Sequence, residues 1–279
     1  MAKITLPEKR EVLGVGIHPL TLAECAAVIR NWIREQYMWE EITGDRGDGE
    51  GFGQRPAALH QVVTLNAEML YRAQYDTSFR DLLNQADLVV PDGHGVVWAG
   101  RRLGCPFPER VTGIDLIYSL VSYAAREKWR IFLLGGVSGV AEAAALKLRQ
   151  KYPGLHVAGT EHGYFSETEI VPVLRKIRAT RPDLLLVALG SPRQEFFIWV
   201  HRRELGALVA IGVGGSLDVL AGRLRRAPVF FQRLHLEWLY RVLQEPSRWR
   251  RALVLPRFAW KVLRAPRRRA RKRPSQTGA

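Results

Sequence analysis

The chain has 279 residues, of which 47% are hydrophobic and 25% are charged. This composition excludes an intrinsically disordered protein and predicts one large core, or a core with an appendage. The net charge of +15 arises at one end: residues 223–279 contain 17 Lys/Arg and two acidic residues, whereas residues 1–222 contain 25 of each sign. Such asymmetry indicates a charged partner for the C-terminal segment.

The cysteines and the hydropathy pattern bear on where the protein works. Cys25 and Cys105 are far apart and lack the spacing of a disulfide framework or a metal site, which fits a reducing cytosol. The chain shows no basic, apolar and small-residue export signal and no apolar run of about 18 residues. We therefore expect a protein that is neither exported nor membrane-spanning.

The first half of the chain alternates strand and helix patterns. Thr21 and Glu24 have the spacing of a helix capping box. A polar, glycine-rich stretch predicts a flexible insertion at about residues 40–57. The expected elements, in order, are a strand at 12–17, a helix at 21–39, a strand at 61–63, helices at 67–75 and 77–85, a strand at 88–90, and helices starting at 96 and spanning 115–127.

The second half alternates more regularly. The expected elements are a strand at 130–134, a helix at 140–152, a strand at 155–159, a helix at 167–180, a strand at 184–189, a helix ending near 204 and a strand at 207–213. The strands are apolar on both faces and alternate with helices. This pattern predicts an α/β fold with a Rossmann-like parallel sheet covered by helices on both sides.

The character of the sequence changes after Gly222. We predict a basic, aromatic-rich helix at 230–244, a short helix at 247–255 that is broken by Pro256, a third helix at 257–264 and a frayed basic end. The division is therefore an α/β core at residues 1–222 and a basic helical C-terminal appendage at residues 223–279.

Polar side chains follow two neighbouring predicted strands. Asp92 comes after the strand at 88–90, at the edge where open α/β sheets bind ligands. Thr64 and Asn66 end the preceding strand, so a hydroxyl, an amide and a carboxylate could converge on one substrate. A carboxylate there suits a general base. The alternative is that these residues only cap the helices that follow.

Three glycine-bearing turns follow strands and precede helices, at residues 134–139, 190–195 and 212–216. Helix N-termini after such turns bind phosphate groups, and three turns on one edge would outline a nucleotide-sized pocket. The first turn lacks the full G-x-G-x-x-G fingerprint, and Glu161 follows at about the distance of a ribose-binding acid. A tight turn without a ligand is the alternative for each.

Charge stabilisation of a departing diphosphate is the next requirement for such a pocket. The sequence has no Asp-x-Asp and no His/Cys/carboxylate cluster with metal spacing, so we expect no metal. Arginines can neutralise phosphate oxygens by paired hydrogen bonds. The C-terminal candidates are Arg233, Arg241, Arg248, Arg250 and Arg251. The alternative for most of them is a solvated or lipid-facing helix surface.

Aromatic residues accompany the arginines of the C-terminal segment. Trp238, Leu239, Val242 and Leu243 form one apolar stripe. Basic amphipathic helices with Trp and Phe bind anionic membrane surfaces. Nucleic acid would also suit such charge, but the aromatic residues lie in stripes with Leu and Val, which favours the membrane.

Several segments together resemble one enzyme family. They are Thr-Leu-Asn-Ala-Glu at 64–68, Pro-Asp-Gly at 91–93, Pro-Glu-Arg-Val-Thr-Gly at 108–113, Leu-Gly-Gly at 134–136, His-Gly-Tyr-Phe at 162–165, Ala-Leu-Gly-Ser-Pro-Arg-Gln-Glu at 188–195, Gly-Val-Gly-Gly-Ser at 212–216, Leu-Glu-Trp-Leu-Tyr-Arg at 236–241 and Glu-Pro at 245–246. In this order they resemble the WecG/TagA/CpsF glycosyltransferases (glycosyltransferase family 26), over roughly residues 12–264.

The resemblance implies an inverting, metal-independent transfer from a UDP-sugar to a polyprenyl-diphosphate-linked sugar, without a cofactor. It implies a peripheral enzyme of cell-surface polysaccharide or teichoic acid biosynthesis at the cytoplasmic face of the cell membrane. The transferred sugar would be of the N-acetylmannosamine type, its uronic acid, or of the glucose type.

The resemblance also assigns roles to residues. Asp92 is the implied base, and Thr64 and Gln194 assist in the pocket. The implied arginines around the diphosphate are Arg241, Arg248 and Arg251. We predict further substrate contacts at motif residues Asn66, Arg110, Gly135, Gly136, Tyr164, Gly190, Arg193, Gly214 and Gly215.

Two other classes stay open from the residues alone. A NAD- or nucleotide-sugar-dependent oxidoreductase would need the turn at 135–139 to hold a dinucleotide, and a non-catalytic adaptor would use only the C-terminal segment. The donor, the acceptor and the oligomeric state, including a homo-oligomer, also stay open. The insertion and the long Arg-rich end depart from the family pattern but contain none of its motifs.

Overall fold

The structure is a computed structural model that describes residues 5–43, 59–245 and 249–267. The strands are β1 (Arg10–Val12), β2 (Val15–Ile17), β3 (His60–Leu65), β4 (Leu88–Pro91), β5 (Arg130–Gly135), β6 (His156–Glu161), β7 (Leu184–Ala188) and β8 (Val209–Gly212). The α-helices are α1 (Leu22–Thr43), α2 (Ala67–Arg72), α3 (Thr77–Gln85), α4 (His94–Leu103), α5 (Gly113–Glu127), α6 (Val140–Lys151), α7 (Ile170–Thr180), α8 (Arg193–Val200), α9 (Ser216–Leu220), α10 (Val229–Arg233), α11 (Glu237–Gln244), α12 (Trp249–Ala252) and α13 (Val254–Arg264).

Six strands form one parallel sheet in the order β4–β3–β8–β7–β5–β6. Side chains alternate between its two faces, as the two-residue period of a strand requires. In β5, Ile131 and Leu133 face one core cluster, and Phe132 and Leu134 face another. Both faces are buried, which confirms the predicted Rossmann-like α/β fold.

Helices cover each face of this sheet. Buried residues of α1, α5, α6 and α9 form the cluster on one face. Residues of α2, α3, α4, α7, α8 and α13 form the clusters on the other. The sheet and the helices on its two faces therefore form a three-layer arrangement.

The N-terminal strand prediction was wrong. Instead of one strand at 12–17, β1 and β2 pair as an antiparallel hairpin. The chain reverses at Leu13 and Gly14, which have φ angles of 50° and 79°. A tight two-residue hairpin turn needs a positive φ at both central residues. Hydrophobic patterning does not predict a positive φ at Leu13, because leucine rarely adopts this conformation.

The capping box at the start of α1 is confirmed. The Glu24 N–H donates to Thr21 Oγ1 at 3.2 Å, and the Thr21 N–H donates to Glu24 Oε2 at 2.8 Å. The helix continues to Thr43, so the start of the insertion near residue 40 was predicted one turn too early. The rest of the predicted insertion, residues 44–57, lies outside the described residues.

The C-terminal segment contains two further corrections. The helix predicted at 230–244 is two helices, α10 and α11, separated by a corner at which His235 has a φ of 63°. Pro256 does not break a helix but lies in the first turn of α13. Proline is tolerated there because the first-turn N–H groups have no partner within the helix.

The last described helix packs into the core. Phe258 and Val262 of α13 are 2% and 0% exposed, and they join the cluster formed by α2 and α4. By contrast, α10 and α11 contain no fully buried residue. The division near residue 222 stays a prediction, but removal of everything after it would uncover part of this core.

Candidate active site

The candidate site lies at the carboxyl-terminal edge of the sheet. The connection after β5 leads to β6 on one side, and the connection after β7 leads to β8 on the other. Strand order therefore reverses between β5 and β7, and ligands of open α/β sheets bind in the crevice at such a point. The turns predicted at 134–139 and 190–195 flank this crevice.

Asp92 immediately follows β4 at the same edge. Its backbone N–H donates to the Leu65 carbonyl at 2.8 Å, which ties it to the end of β3. The Gly113 N–H lies 3.5 Å from Asp92 Oδ2. The side chain is half-buried, so part of it is accessible to solvent.

Burial raises the pKa of Asp92 from 3.8 to about 6. The positive charges of Arg241 and Arg110 and the Gly113 N–H oppose this rise, and the negative charge of Glu237 adds to it. With such a pKa the carboxylate is about 90% ionised at pH 7 and is still a stronger base than an ordinary aspartate. These properties suit proton abstraction from a hydroxyl.

Thr64 and Gln194 converge on the turn after β8. Thr64 Oγ1 donates to the Gly212 carbonyl at 3.0 Å, and the Gly214 N–H donates to Gln194 Oε1 at 3.1 Å. Both side chains are buried, with 8% and 4% exposure. The structure therefore brings these two predicted residues together beneath the site, where they hold the Gly212–Gly214 backbone.

Glu195 is a buried acid that the sequence analysis did not single out. Its side chain is 1% exposed, and Oε1 accepts from Gln194 Nε2 at 2.7 Å. Burial raises its pKa, and hydrogen bonds from Gln194 and Ser191 partly oppose the rise. The available signal was a glutamate directly before the apolar stretch Phe196–Val200. An acid in such a position is expected to be buried, and glutamate is rarely buried without a partner.

Asn66 fulfils the capping alternative. Its Oδ1 accepts from the Met69 N–H at 3.0 Å at the start of α2. The N-cap position explains why an asparagine stands there.

The predicted glycines fall into two groups. At Gly135 and Gly136 a side chain would overlap the Ala188 carbonyl or Val140, so close packing explains both. Gly190 and Gly214 have positive φ angles of 77° and 50°, yet nothing lies within 4 Å of an added Cβ. Gly215 precedes α9 as its N-cap. Among the predicted glycines, the open positions are therefore on the turns after β7 and β8.

Arg193 and Tyr164 lie at the periphery. The Arg193 guanidinium donates to the carbonyls of Gly163 and Phe165 at 3.1 and 3.3 Å and stacks over the Phe165 ring. Tyr164 is 73% exposed. Arg193 thus secures the loop after β6, and the neighbouring tyrosine faces solvent.

The C-terminal segment reaches Asp92 through α11. Arg241 lies in the last turn of this helix, and its charge lowers the pKa of Asp92 more than any other group does. Arg110 forms an ion pair with Glu237. Of the other predicted arginines, Arg248 lies outside the described residues, and only the backbone of Arg251 is described, within α12.

A second contact joins the segment to the core beside Asp92. His235 Nδ1 lies 2.9 Å from His94 Nε2. Burial, Arg110 and His235 lower the pKa of His94 to about 4, so its ring is neutral at pH 7. Sequence reasoning missed His94, His235 and Glu237, although the position of His94 two residues after Asp92 was a signal.

The described part of the chain contains neither a cluster of metal ligands nor a helix suited to cross a membrane. No three side chains of His, Cys, Asp or Glu within residues 5–43, 59–245 and 249–267 are grouped as metal ligands. Within the same ranges, no helix combines the length and the apolar character needed to cross a membrane.

The fold and the site define an α/β protein with a carboxylate of raised pKa near an arginine at the carboxyl-terminal edge of its sheet. Residues 51–273 match the glycosyl transferase WecG/TagA/CpsF family, and the chain belongs to this family of glycosyltransferases. This membership confirms the resemblance and decides against the oxidoreductase and adaptor alternatives.

Curated relatives are similar over most of the chain. One from Bacillus spizizenii strain W23 is 40% identical over 217 residues, which cover 78% of this chain and 83% of the relative. One from Staphylococcus aureus strain MW2 is 38% identical, covering 74% and 80%, and one from Bacillus subtilis strain 168 is 37% identical, covering 73% and 78%. Each is an N-acetylglucosaminyldiphosphoundecaprenol N-acetyl-beta-D-mannosaminyltransferase.

Proposed function

We propose that this protein transfers an N-acetylmannosamine-type sugar from a UDP-sugar to a polyprenyl-diphosphate-linked N-acetylglucosamine, with inversion at the anomeric carbon. The names of the relatives support the acceptor and the transferred sugar. The observation that carries the proposal is the half-buried Asp92 carboxylate, with its raised pKa, facing Arg241 at the ligand-binding edge.

Asp92 acts as the general base. Its carboxylate takes the proton of an acceptor hydroxyl while that oxygen forms a bond to the anomeric carbon of the donor. The bond between this carbon and the UDP oxygen breaks on the opposite side, so the configuration inverts and UDP leaves with the bonding electron pair. A pKa of about 6 leaves the base ionised at neutral pH.

Arginines stabilise the charge that develops on the departing diphosphate. Arg241 carries this role from α11, and Arg248 and Arg251 join it from the following segment. Guanidinium groups match phosphate oxygens with paired hydrogen bonds, and fixed charges cost no reorganisation during the reaction. The reaction would accordingly proceed without a divalent cation.

The donor nucleotide binds across the turns after β7 and β8. Gly190 and Gly214 leave open space at this edge, and Thr64 and Gln194 fix the backbone of the second turn from below. We assign these two residues to positioning the turn that contacts the donor, rather than to direct contact with a sugar.

The C-terminal segment binds the cytoplasmic face of the cell membrane peripherally, where the acceptor lipid resides. Large apolar side chains are at least 44% exposed along its helices: Val229, Phe230, Leu234, Trp238, Leu243, Trp249, Leu253, Trp260 and Leu263. The same segment has 17 basic residues. Exposed aromatic residues among positive charges suit an anionic bilayer surface.

A donor screen tests the function. Purified full-length protein is incubated with a short-chain lipid-diphosphate N-acetylglucosamine and UDP-N-acetylmannosamine, UDP-N-acetylglucosamine or UDP-glucose, and products are identified by mass. We expect an N-acetylhexosamine addition with UDP-N-acetylmannosamine at the highest rate. Transfer from UDP-glucose alone would refute the assigned donor, and no transfer to this acceptor from any donor would refute the proposed acceptor.

A further inference from the structure

Two side-chain contacts connect α11 and the corner before it to the core, and we call them the clasp: the His94–His235 pair and the Arg110–Glu237 ion pair. Both core residues are close to Asp92 in the chain or in space. His94 follows Asp92 by two residues. Arg110 precedes Val111, whose N–H donates to the Pro91 carbonyl at 2.9 Å.

The clasp contacts determine which face of α11 meets the site. Glu237 is the first residue of this helix, and Arg241 follows four residues later. Residues four apart lie on the same face of a helix, so an anchor at Glu237 directs Arg241 toward the core. His235 anchors the chain just before the helix, at the corner with positive φ.

Hydrophobic packing alone does not fix α11, because none of its residues is fully buried. The Phe231–Tyr240 ring contact and the hydrogen bonds between Arg225 and Gln244 stay within the C-terminal segment. The Arg226–Asp115 ion pair at 2.7 Å reaches the core, but it lies before α10. Among the contacts of the described residues, the clasp joins the start of α11 and the corner before it to the core.

We infer that the clasp aligns Arg241 with Asp92, and that His94, His235 and Glu237 are positioning residues for sugar transfer. This inference rests on the proposed roles of Asp92 and Arg241. It extends the functional site to three side chains that need not touch either substrate.

A double-mutant cycle tests the inference. The full-length enzyme, UDP-N-acetylmannosamine and the lipid-linked N-acetylglucosamine acceptor are used with His235→Ala, Arg241→Ala and the double variant. We expect His235→Ala alone to lower kcat about tenfold, and to change it less than twofold when Arg241 is already alanine, because interacting residues are non-additive. Effects that multiply would overturn the inference.

The pH profile gives a readout that a general loss of packing would not move. The charged or titratable groups near Asp92 are Arg241 and Glu237 of α11, with Arg110 and His94 of the core. Arg241 lowers the pKa of Asp92 more than Glu237 raises it. Release of α11 in His235→Ala would remove this charge and admit water beside Asp92, so the acidic limb of kcat/KM should leave its wild-type position; an unmoved limb contradicts the clasp.

Two controls separate the possible failures. His201 also contacts a carboxylate, Glu204 at 3.2 Å, but it follows α8 away from the site, so His201→Ala should leave kcat and the pH profile unchanged. Full turnover in Arg241→Ala would refute the proposed role of this arginine. A strong loss of kcat in Arg241→Ala, combined with a loss in His235→Ala that multiplies with it in the double variant, would refute only the clasp. Thermal melting verifies that each of these variants is folded.

Discussion

Replacement of the Asp92 carboxylate by an amide should make the protein more stable and much less active. Burial raises the pKa of Asp92 from 3.8 to about 6, so the ionised form at pH 7 costs folding free energy. At 1.36 kcal/mol per pH unit, the cost is up to about 3 kcal/mol. Partial solvent access reduces it, and we expect Asp92→Asn to raise the free energy of unfolding by about 1–3 kcal/mol.

The pH dependence of this gain has a definite sign. A carboxyl group with a raised pKa in the folded state contributes stability below pH 3.8, and the wild type loses this contribution as pH rises from 3.8 to about 6. The asparagine variant does not titrate. Its advantage over the wild type should therefore be complete above about pH 6 and should shrink as pH falls toward 3.8.

Urea unfolding at several pH values measures the stability difference, and sugar transfer measures the chemistry. We expect turnover of Asp92→Asn to fall by roughly 10²–10⁴-fold, since a positioned base contributes about that much. The wild-type kcat/KM should be half-maximal near pH 6 on its acidic side. Near-normal turnover of the variant would remove Asp92 from the role of base, and a variant less stable than the wild type at pH 7 would contradict the burial argument.

Three further predictions concern charge and packing. Transfer should survive EDTA, because arginines are proposed to stabilise the diphosphate; loss on chelation with recovery in Mg²⁺ or Mn²⁺ would contradict this. Phe258→Ala should lower the free energy of unfolding by about 3–5 kcal/mol, measured by urea. Trp260→Ala removes a 56% exposed side chain of the same helix, over which the Arg264 guanidinium stacks, and should cost less, about 1 kcal/mol. Removal of residues 268–279 takes away five basic residues and should weaken binding to anionic vesicles by about tenfold or more at low salt. Transfer to a soluble acceptor should persist. Unchanged sedimentation of the shortened protein with vesicles would refute a role for this end in membrane binding.

Local sequence rules predicted the fold class and the position of Asp92 directly after a strand. Strand and helix periods, the Thr21–Glu24 capping box and the position of Asp92 after an apolar strand depend on residues close together in the chain. Such features are confirmed because their causes, dihedral preference and side-chain capping, act over a few residues. The same rules predicted Asn66 both as a ligand and as a helix cap, and the structure shows the cap.

Contacts between distant residues were decided only by the tertiary structure. The strand order placed Thr64 beside Gly212, 148 residues later, where its hydroxyl donates to the Gly212 carbonyl. The positive φ of His235 split a predicted helix and directed α11 toward Asp92. Phe258, an aromatic residue of the basic C-terminal segment, fills the core between α2 and α4. Periodicity shows that a helix has an apolar face, but which surface covers that face depends on the packing of the whole chain.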